Sequence, residues 1–288
     1  MAGIALVWAG LAIACTSHDL AISRALVRPD CAWAAFGQRF GELPGVTAFA
    51  LAAFALYAEP AAPLPRSRPL RELPWLLCSI ALGVALALIA YRLSGERLRP
   101  LGWGCTLMAC AATTRIWRRS LAEGRTLSPR ARRACSWTVR LTISVWLIVS
   151  LMKLAWGRVR FRDLSPLASE YTPWYSPQGW TGHVSFPSGH AAVGWLLLPA
   201  LLLWPPGSRG YRWMFAASLA WGTFVAASRV VIGAHYASDV LFSSALAFAL
   251  MALAPWQAAR AAEAPSPREP QGAQRAPVPA PGLPDDGK

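Results

Sequence analysis

The stretch Ser228-Arg229-Val230-Val231-Ile232-Gly233-Ala234-His235-Tyr236-Ala237-Ser238-Asp239 joins two apolar runs, at about 213–228 and 237–256. It sets an arginine, a histidine and a carboxylate where segments that otherwise read as membrane helices meet. An unpaired carboxylate at the start of an apolar span is costly, so Asp239 needs a partner. His235 stands four positions before it, and on a helix that spacing puts both side chains on one face.

Working outward, further apolar runs fall at about 3–16, 44–62, 73–93, 100–116, 136–156 and 190–204. The chain has 288 residues, 55% hydrophobic and only 15% charged, with a mean hydropathy of +0.35. A soluble domain of this length would carry more charge. The expected architecture is all-α: a polytopic transmembrane helical bundle of about six to eight spans. The formal charge of +14 does not point to nucleic acid. The arginines sit mostly in short stretches between runs, where they set topology and attract anionic headgroups, and no basic–aromatic nucleic-acid motif occurs. The six cysteines (Cys15, Cys31, Cys78, Cys105, Cys110 and Cys135) form no CxxC pair, so neither a metal site nor a disulfide framework is expected. Tryptophans gather towards segment ends, among them Trp103, Trp117, Trp174, Trp180, Trp204, Trp213 and Trp256, as interfacial anchors do.

Orientation follows the basic residues. Arg115 to Arg133, with Arg118, Arg119, Arg125, Arg130 and Arg132 between them, reads as cytoplasmic. Arg66, Arg68, Arg71, Arg209 and Arg212 agree, while Arg92, Arg97 and Arg99 fall on the other side. Gly3 to Thr16 lacks a basic leader and reads as an uncleaved first span. Loops 17–43 and 157–189 are then expected outside. Residues 1–134 read as N-terminal spans, 135–256 as a catalytic core, and 257–288, rich in Pro, Ala and charge, as a disordered cytoplasmic tail.

On this map three polar motifs share the outer face. The first runs from Lys153 to Arg160 at the close of one span. The second is Ser185-Phe186-Pro187-Ser188-Gly189-His190, opening the next. The third is the Ser228–Asp239 stretch. Hydrolysis of a phosphate ester needs a nucleophile, an acid for the leaving oxygen and cations around the equatorial oxygens. Asp239 can hold one ring nitrogen of His235 and leave the other to attack phosphorus. His190 would act as the acid, Ser188 can cap the helix it opens, and Gly189 permits close backbone approach. Arg229 can bring its fork to the phosphate, and Lys153 and Arg160, seven apart, share a face on a continuing helix. Arg158 reads as an assisting cation or as one that snorkels to the interface. His18 reads as interfacial, and His183 as a gate or substrate contact near the site.

These residues resemble a known family, the type 2 phosphatidic acid phosphatases, which share their catalytic core with vanadium haloperoxidases. The family pattern is K-x6-R-P, then P-S-G-H, then S-R-x5-H-x3-D. Lys153 and Arg160 match the first element, Pro187 to His190 the second, and Ser228, Arg229, His235 and Asp239 the third. The resemblance is close over about 150–240 and looser beyond. It implies that His235 is the nucleophile, Asp239 its orienter and His190 the leaving-group acid. It likewise implies that Lys153, Arg160, Ser188, Gly189 and Arg229 bind phosphate. Phe161 departs from the pattern, standing where the family has proline; proline would stiffen the chain there but supplies no functional group.

The expected function is therefore an integral membrane lipid phosphatase without metal or other cofactor. It would act through a phosphohistidine on a lipid phosphomonoester or diphosphate, at the outer face of a bacterial inner membrane. The same intermediate could pass its phosphoryl group to a second lipid, which makes a phosphotransferase the nearest alternative. A catalytically silent lipid-binding protein would be expected to lack at least one of these residues.

Overall fold

The computed structural model describes residues 2–58, 112, 115, 119 and 126–263. Its described elements are α1 (Ala2–Leu26), α2 (Ala32–Phe40), α3 (Leu43–Ala58), α4 (Pro129–Trp156), α5 (Gly189–Gly194), α6 (Arg209–Val231) and α7 (Ala237–Glu263), with short 3-10 turns at Phe161–Asp163 and Leu198–Leu203. The fold is all-helical among these residues. The apolar runs at 73–93 and 100–116, the basic residues at 66–99, Cys78, Cys105, Cys110 and the tail beyond residue 263 lie outside the described residues.

Among the described residues, five segments are long and apolar enough to cross a membrane: Leu6–Leu26, Ala32–Leu56, Pro129–Asp163, Arg209–Val231 and Ala237–Ala254. A shorter apolar stretch, Gly189–Leu203, accompanies them. The run expected at 190–204 is thus a six-residue α-helix followed by a six-residue 3-10 helix rather than one regular span.

The sequence of each long helix dictates which side turns inward. On α4 the buried positions are Ala134, Trp137, Thr138, Leu141, Val145 and Val149, a stripe at three- and four-residue spacing. Trp146 and Leu151, off that stripe, are 69% and 57% exposed, as suits a face turned to lipid. The stripe's next position is Lys153, so the register that buries the core also carries the ammonium inward. On α6 the stripe Ser218, Gly222, Val225 and Arg229 does the same for a guanidinium. Leu141, Val145, Val149, Ala192 and Leu196 form one core cluster, backed by Val193, Leu246 and Leu250. Trp195, Leu198, Leu201 and Ala247 form a second, with Met214, Phe248 and Met251 against it.

Two helix ends position the motifs. Ser128 caps α4 by accepting from the Ala131 N–H (3.2 Å) and Pro129 follows at its first position. The other end stops at Gly157, whose φ of 52° is the left-handed turn that glycine adopts without a Cβ penalty. A Cβ there would also collide with the Gly179 carbonyl. Ser188 caps α5, its Oγ accepting from the Ala191 N–H at 3.3 Å, as the sequence led one to expect.

The N-terminal part differs from expectation. The first run was expected to end at residue 16, with a loop over 17–43. Instead α1 continues to Leu26, and α2 occupies much of the remainder. Asp19, a polar residue that suggested a loop, is paired inside the protein with Arg158 and lies on one buried stripe with Ala12, Cys15 and Ser23. Close packing of α2 on α6 has its own sequence cause, since any Cβ at Gly37 would collide with the Ser228 side chain.

The chain divides into two compact units, Met1–Ala252 and Leu253–Lys288. The second begins within α7, whose helical residues continue to Glu263, past residue 256 where the core was expected to end.

Candidate active site

Asp239 organises the site. Its carboxylate is fully buried and both of its oxygens are engaged. Oδ1 accepts from Arg158 Nη1 at 2.6 Å. Oδ2 accepts from Ser185 Oγ at 2.6 Å and from the Tyr236 N–H at 3.1 Å, and lies 3.3 Å from His235 Nδ1. The pairing expected from the four-residue spacing is therefore present, but by a different route. His235 lies ahead of α7, which begins at Ala237, so the turn before the helix, not a shared helix face, brings the two together.

Once Nδ1 is engaged by Asp239, the other ring nitrogen, Nε2, faces away from the carboxylate. Burial pushes the His235 imidazole down to about 4, with the positive charges of Arg229 and Lys153 acting in the same direction and Asp239 opposing them. The ring is therefore neutral at physiological pH, with a lone pair available.

Arg158 neither assists at a phosphate nor snorkels. It is 1% exposed and its donors are spent internally: Nε on the Thr172 carbonyl (2.8 Å), Nη1 on Ser238 Oγ (2.8 Å) and Asp239, Nη2 on Asp19 Oδ2 (2.8 Å). The Tyr236 ring lies 3.9 Å from its guanidinium carbon, a cation–π contact on the remaining face. Asp19 in turn accepts from the Ser238 N–H at 3.0 Å and from the Ser238 hydroxyl. A buried arginine between two carboxylates thus ties α1 to the start of α7.

The cations expected at the phosphate are brought to the same end of the bundle. Arg229 is 4% exposed; its Nη1 donates to Gln38 Oε1 at 3.1 Å, while its Nε has no hydrogen-bond partner among the described residues. Arg160 Nε is likewise buried without one. Buried guanidinium N–H groups lacking acceptors are costly, and an anion would satisfy them. Arg160 does not share a helix face with Lys153, because α4 ends at Gly157; the left-handed turn delivers Arg160 instead. Lys153 Nζ lies 3.7 Å from where a Cβ would stand on Gly189, so the ammonium adjoins the turn that Ser188 caps. The second and third motifs are locked together by the Ser188 N–H donating to the Asp239 carbonyl (3.1 Å). Ser243 Oγ bridges the carbonyls of Ser188 and Asp239, 2.8 Å from each.

His190 Nδ1 is 3.1 Å from Glu42 Oε1, on the turn between α2 and α3. Phe161 sets its ring edge-on to Tyr236 (6.2 Å), filling the space after Arg160. His183 is exposed, and His18, also exposed, lies 3.1 Å from the Ala14 carbonyl through Nδ1. Among the described residues no three His, Cys, Asp or Glu side chains gather as a metal-holding group.

A cavity of about 470 Å³ adjoins these groups. Lys153, Gly189 and Glu42 line it together with the apolar Val46, Phe49, Ile143, Val145, Trp146 and Val149. From Thr142 to Lys153 it follows α4 for about 16 Å, at 1.5 Å per residue.

Sequence reasoning missed Asp19, Gln38, Glu42, Ser185 and Ser238, and misjudged Arg158. A signal for Asp19 existed: a carboxylate continuing the apolar stripe of Ala12 and Cys15 demands a buried cation.

Known proteins resemble part of this chain in sequence. Residues 133–263 match the PAP2 superfamily. Phosphatidylglycerophosphatase B of Escherichia coli (strain K12) is 40% identical over 78 residues, which cover 26% of this chain and 30% of that protein. Lipid A 1-phosphatase of Rhizobium etli is 38% identical over 99 residues, 33% of this chain and 38% of that one. The chain thus spans about a third of the length of these curated relatives. No solved structure matches it. Lys153, His190, His235 and Asp239 all lie inside the segment, residues 133–263, that matches the PAP2 superfamily.

Proposed function

We propose that the protein is a membrane-embedded lipid phosphatase that hydrolyses a lipid phosphomonoester or diphosphate through a phosphohistidine. The observation that carries this reading is the contact of His235 Nδ1 with a fully buried Asp239. It fixes a neutral imidazole with Nε2 as the free nitrogen, beside cations that have N–H groups to spare.

In the first half-reaction Nε2 of His235 attacks phosphorus and the bond to the leaving oxygen breaks. His190 gives that oxygen a proton and the lipid alcohol departs. Lys153, Arg160 and Arg229, with the backbone at Ser188 and Gly189, hold the equatorial oxygens as their charge redistributes. In the second half-reaction water attacks phosphorus, neutral His190 takes its proton, and the P–N bond breaks to release inorganic phosphate and restore both imidazoles. Asp239 stays ionised throughout and stabilises the positive charge that His235 acquires. Every group required is a side chain or backbone group of this chain, so turnover is expected to need no metal.

The lipid tail would occupy the groove between α3 and α4, whose walls are apolar and whose head carries Lys153. The two relatives, a phosphatidylglycerophosphatase B and a lipid A 1-phosphatase, support an amphipathic substrate of this class. A bacterial inner membrane with the site outward fits the charge pattern. Arg130, Arg132 and Arg133 stand at the start of α4, and Arg209 and Arg212 at the start of α6, at the ends remote from Lys153 and Arg229.

The test is phosphate release by detergent-purified protein on phosphatidic acid, phosphatidylglycerophosphate and undecaprenyl diphosphate, with EDTA present and His235→Ala alongside. EDTA-resistant release that disappears in the variant is expected. Equal release from both proteins overturns the assignment, and a newly phosphorylated lipid in place of phosphate identifies a phosphotransferase.

A further inference from the structure

We infer that Glu42, outside the PAP2-matched segment, is a positioning residue for the leaving-group acid: it orients His190 and holds it protonated before the lipid arrives. This rests on the mechanism proposed above.

A carboxylate is an odd neighbour for a phosphate site. Glu42 lines the same cavity as Lys153 and Gly189, and its charge acts on both Lys153 and Arg229. An anion placed there opposes binding of another anion. Its presence makes chemical sense through the contact it makes, 3.1 Å from its Oε1 to His190 Nδ1. The charged groups gathered about the site are Lys153 from α4, Arg160 after it, Arg229 from the end of α6, and the His235–Asp239 pair before and within α7. Three of these are cations that disfavour a protonated imidazole. A general acid must nonetheless carry its proton when the leaving oxygen needs it.

Glu42 supplies the opposing charge. Accepting from Nδ1, it also fixes the ring so that the proton to be given stands on Nε2, facing the leaving oxygen. The arrangement mirrors Asp239 and His235 with opposite outcome. One carboxylate steadies a neutral, fully buried ring that attacks; the other, 23% exposed beside a ring 28% exposed, favours a charged ring that donates. Exposure separates the two, since burial suppresses imidazolium at His235 while the His190 ring is partly open to solvent.

The experiment is a leaving-group comparison on the full-length protein. Glu42→Gln, Glu42→Asp, His190→Ala and His235→Ala are assayed on a lipid phosphate, whose alkoxide needs a proton, and on p-nitrophenyl phosphate, whose phenolate does not. Glu42→Gln is expected to lower kcat on the lipid by about 10- to 100-fold, with a much smaller loss on the aryl ester, as for His190→Ala. The basic limb of its kcat/KM profile on the lipid moves to lower pH by about one pH unit, and Glu42→Asp, which keeps the charge on a shorter arm, lies between. Equal losses on both substrates with an unmoved limb, or no loss on either, would overturn the role of Glu42. The proposed phosphatase mechanism fails separately, if His235→Ala retains activity on both substrates.

Discussion

At the scale of single residues, the proposed mechanism rests on two histidines in contrasting surroundings. His235 is enclosed and pushed down to about 4, so it keeps its nucleophilic lone pair at any higher pH and loses it only as pH falls through that value. A histidine NMR titration should show one imidazole signal, absent in His235→Ala, that titrates near pH 4; a titration of that signal near 6.5 contradicts the burial argument. The motif residues of this site were legible in the sequence because order and spacing are local facts. Their supporting residues were not. Asp19 is 139 positions from Arg158, and Glu42 contacts His190 across a comparable gap. Arg158 looked like a spare cation because its partners, Thr172, Ser238, Asp19 and Asp239, come from separate parts of the chain. The buried network makes a sharp forecast. Asp19→Ala leaves Arg158 short of one carboxylate in the interior and should lower stability by about 3–5 kcal/mol in a reversible denaturant titration in detergent.

At the scale of elements, helix ends do the positioning. The hydropathy of 136–156 located α4, but its end at Gly157 turns on a left-handed backbone that hydropathy does not report. Lys153 and Arg160 were therefore expected on one helix face and are instead separated by a turn. Gly157→Ala should cost about 1–3 kcal/mol for a strained positive φ, before any cost of the clash with the Gly179 carbonyl. Because Arg158 and Arg160 follow that turn, lipid phosphatase activity should fall further than the loss of folded protein accounts for. Thermal unfolding and kcat measured on the same preparation check both statements. The first helix teaches the converse lesson. Ser17, His18 and Asp19 look like the end of a span only while Asp19 has no known partner; paired with Arg158, it belongs to a helix that continues to Leu26.

At the scale of the whole molecule, α1 to α3 lie outside the segment that matches the PAP2 superfamily, yet they furnish Asp19, Gln38 and Glu42. In the proposed mechanism the motifs of the matched segment carry the chemistry, and the preceding helices brace it and wall the groove that would receive the lipid. Val46 on α3, at the wall of that groove and 37% exposed, offers a test. Val46→Trp should raise KM for a long-chain lipid phosphate by about 10-fold, of the order of one buried contact surface lost. It should leave hydrolysis of p-nitrophenyl phosphate near the parent value, and a parallel loss on both substrates would remove the groove from the account.

The central claim is that phosphorus is transferred to His235, and rapid quenching tests it most directly. Protein mixed with a ³²P-labelled lipid phosphate, quenched in alkali within the first turnover and digested, should yield an acid-labile, alkali-stable phosphoryl group on the peptide bearing His235, and none in His235→Ala. Label on another residue, or full phosphate release with no labelled peptide at any quench time, would contradict it.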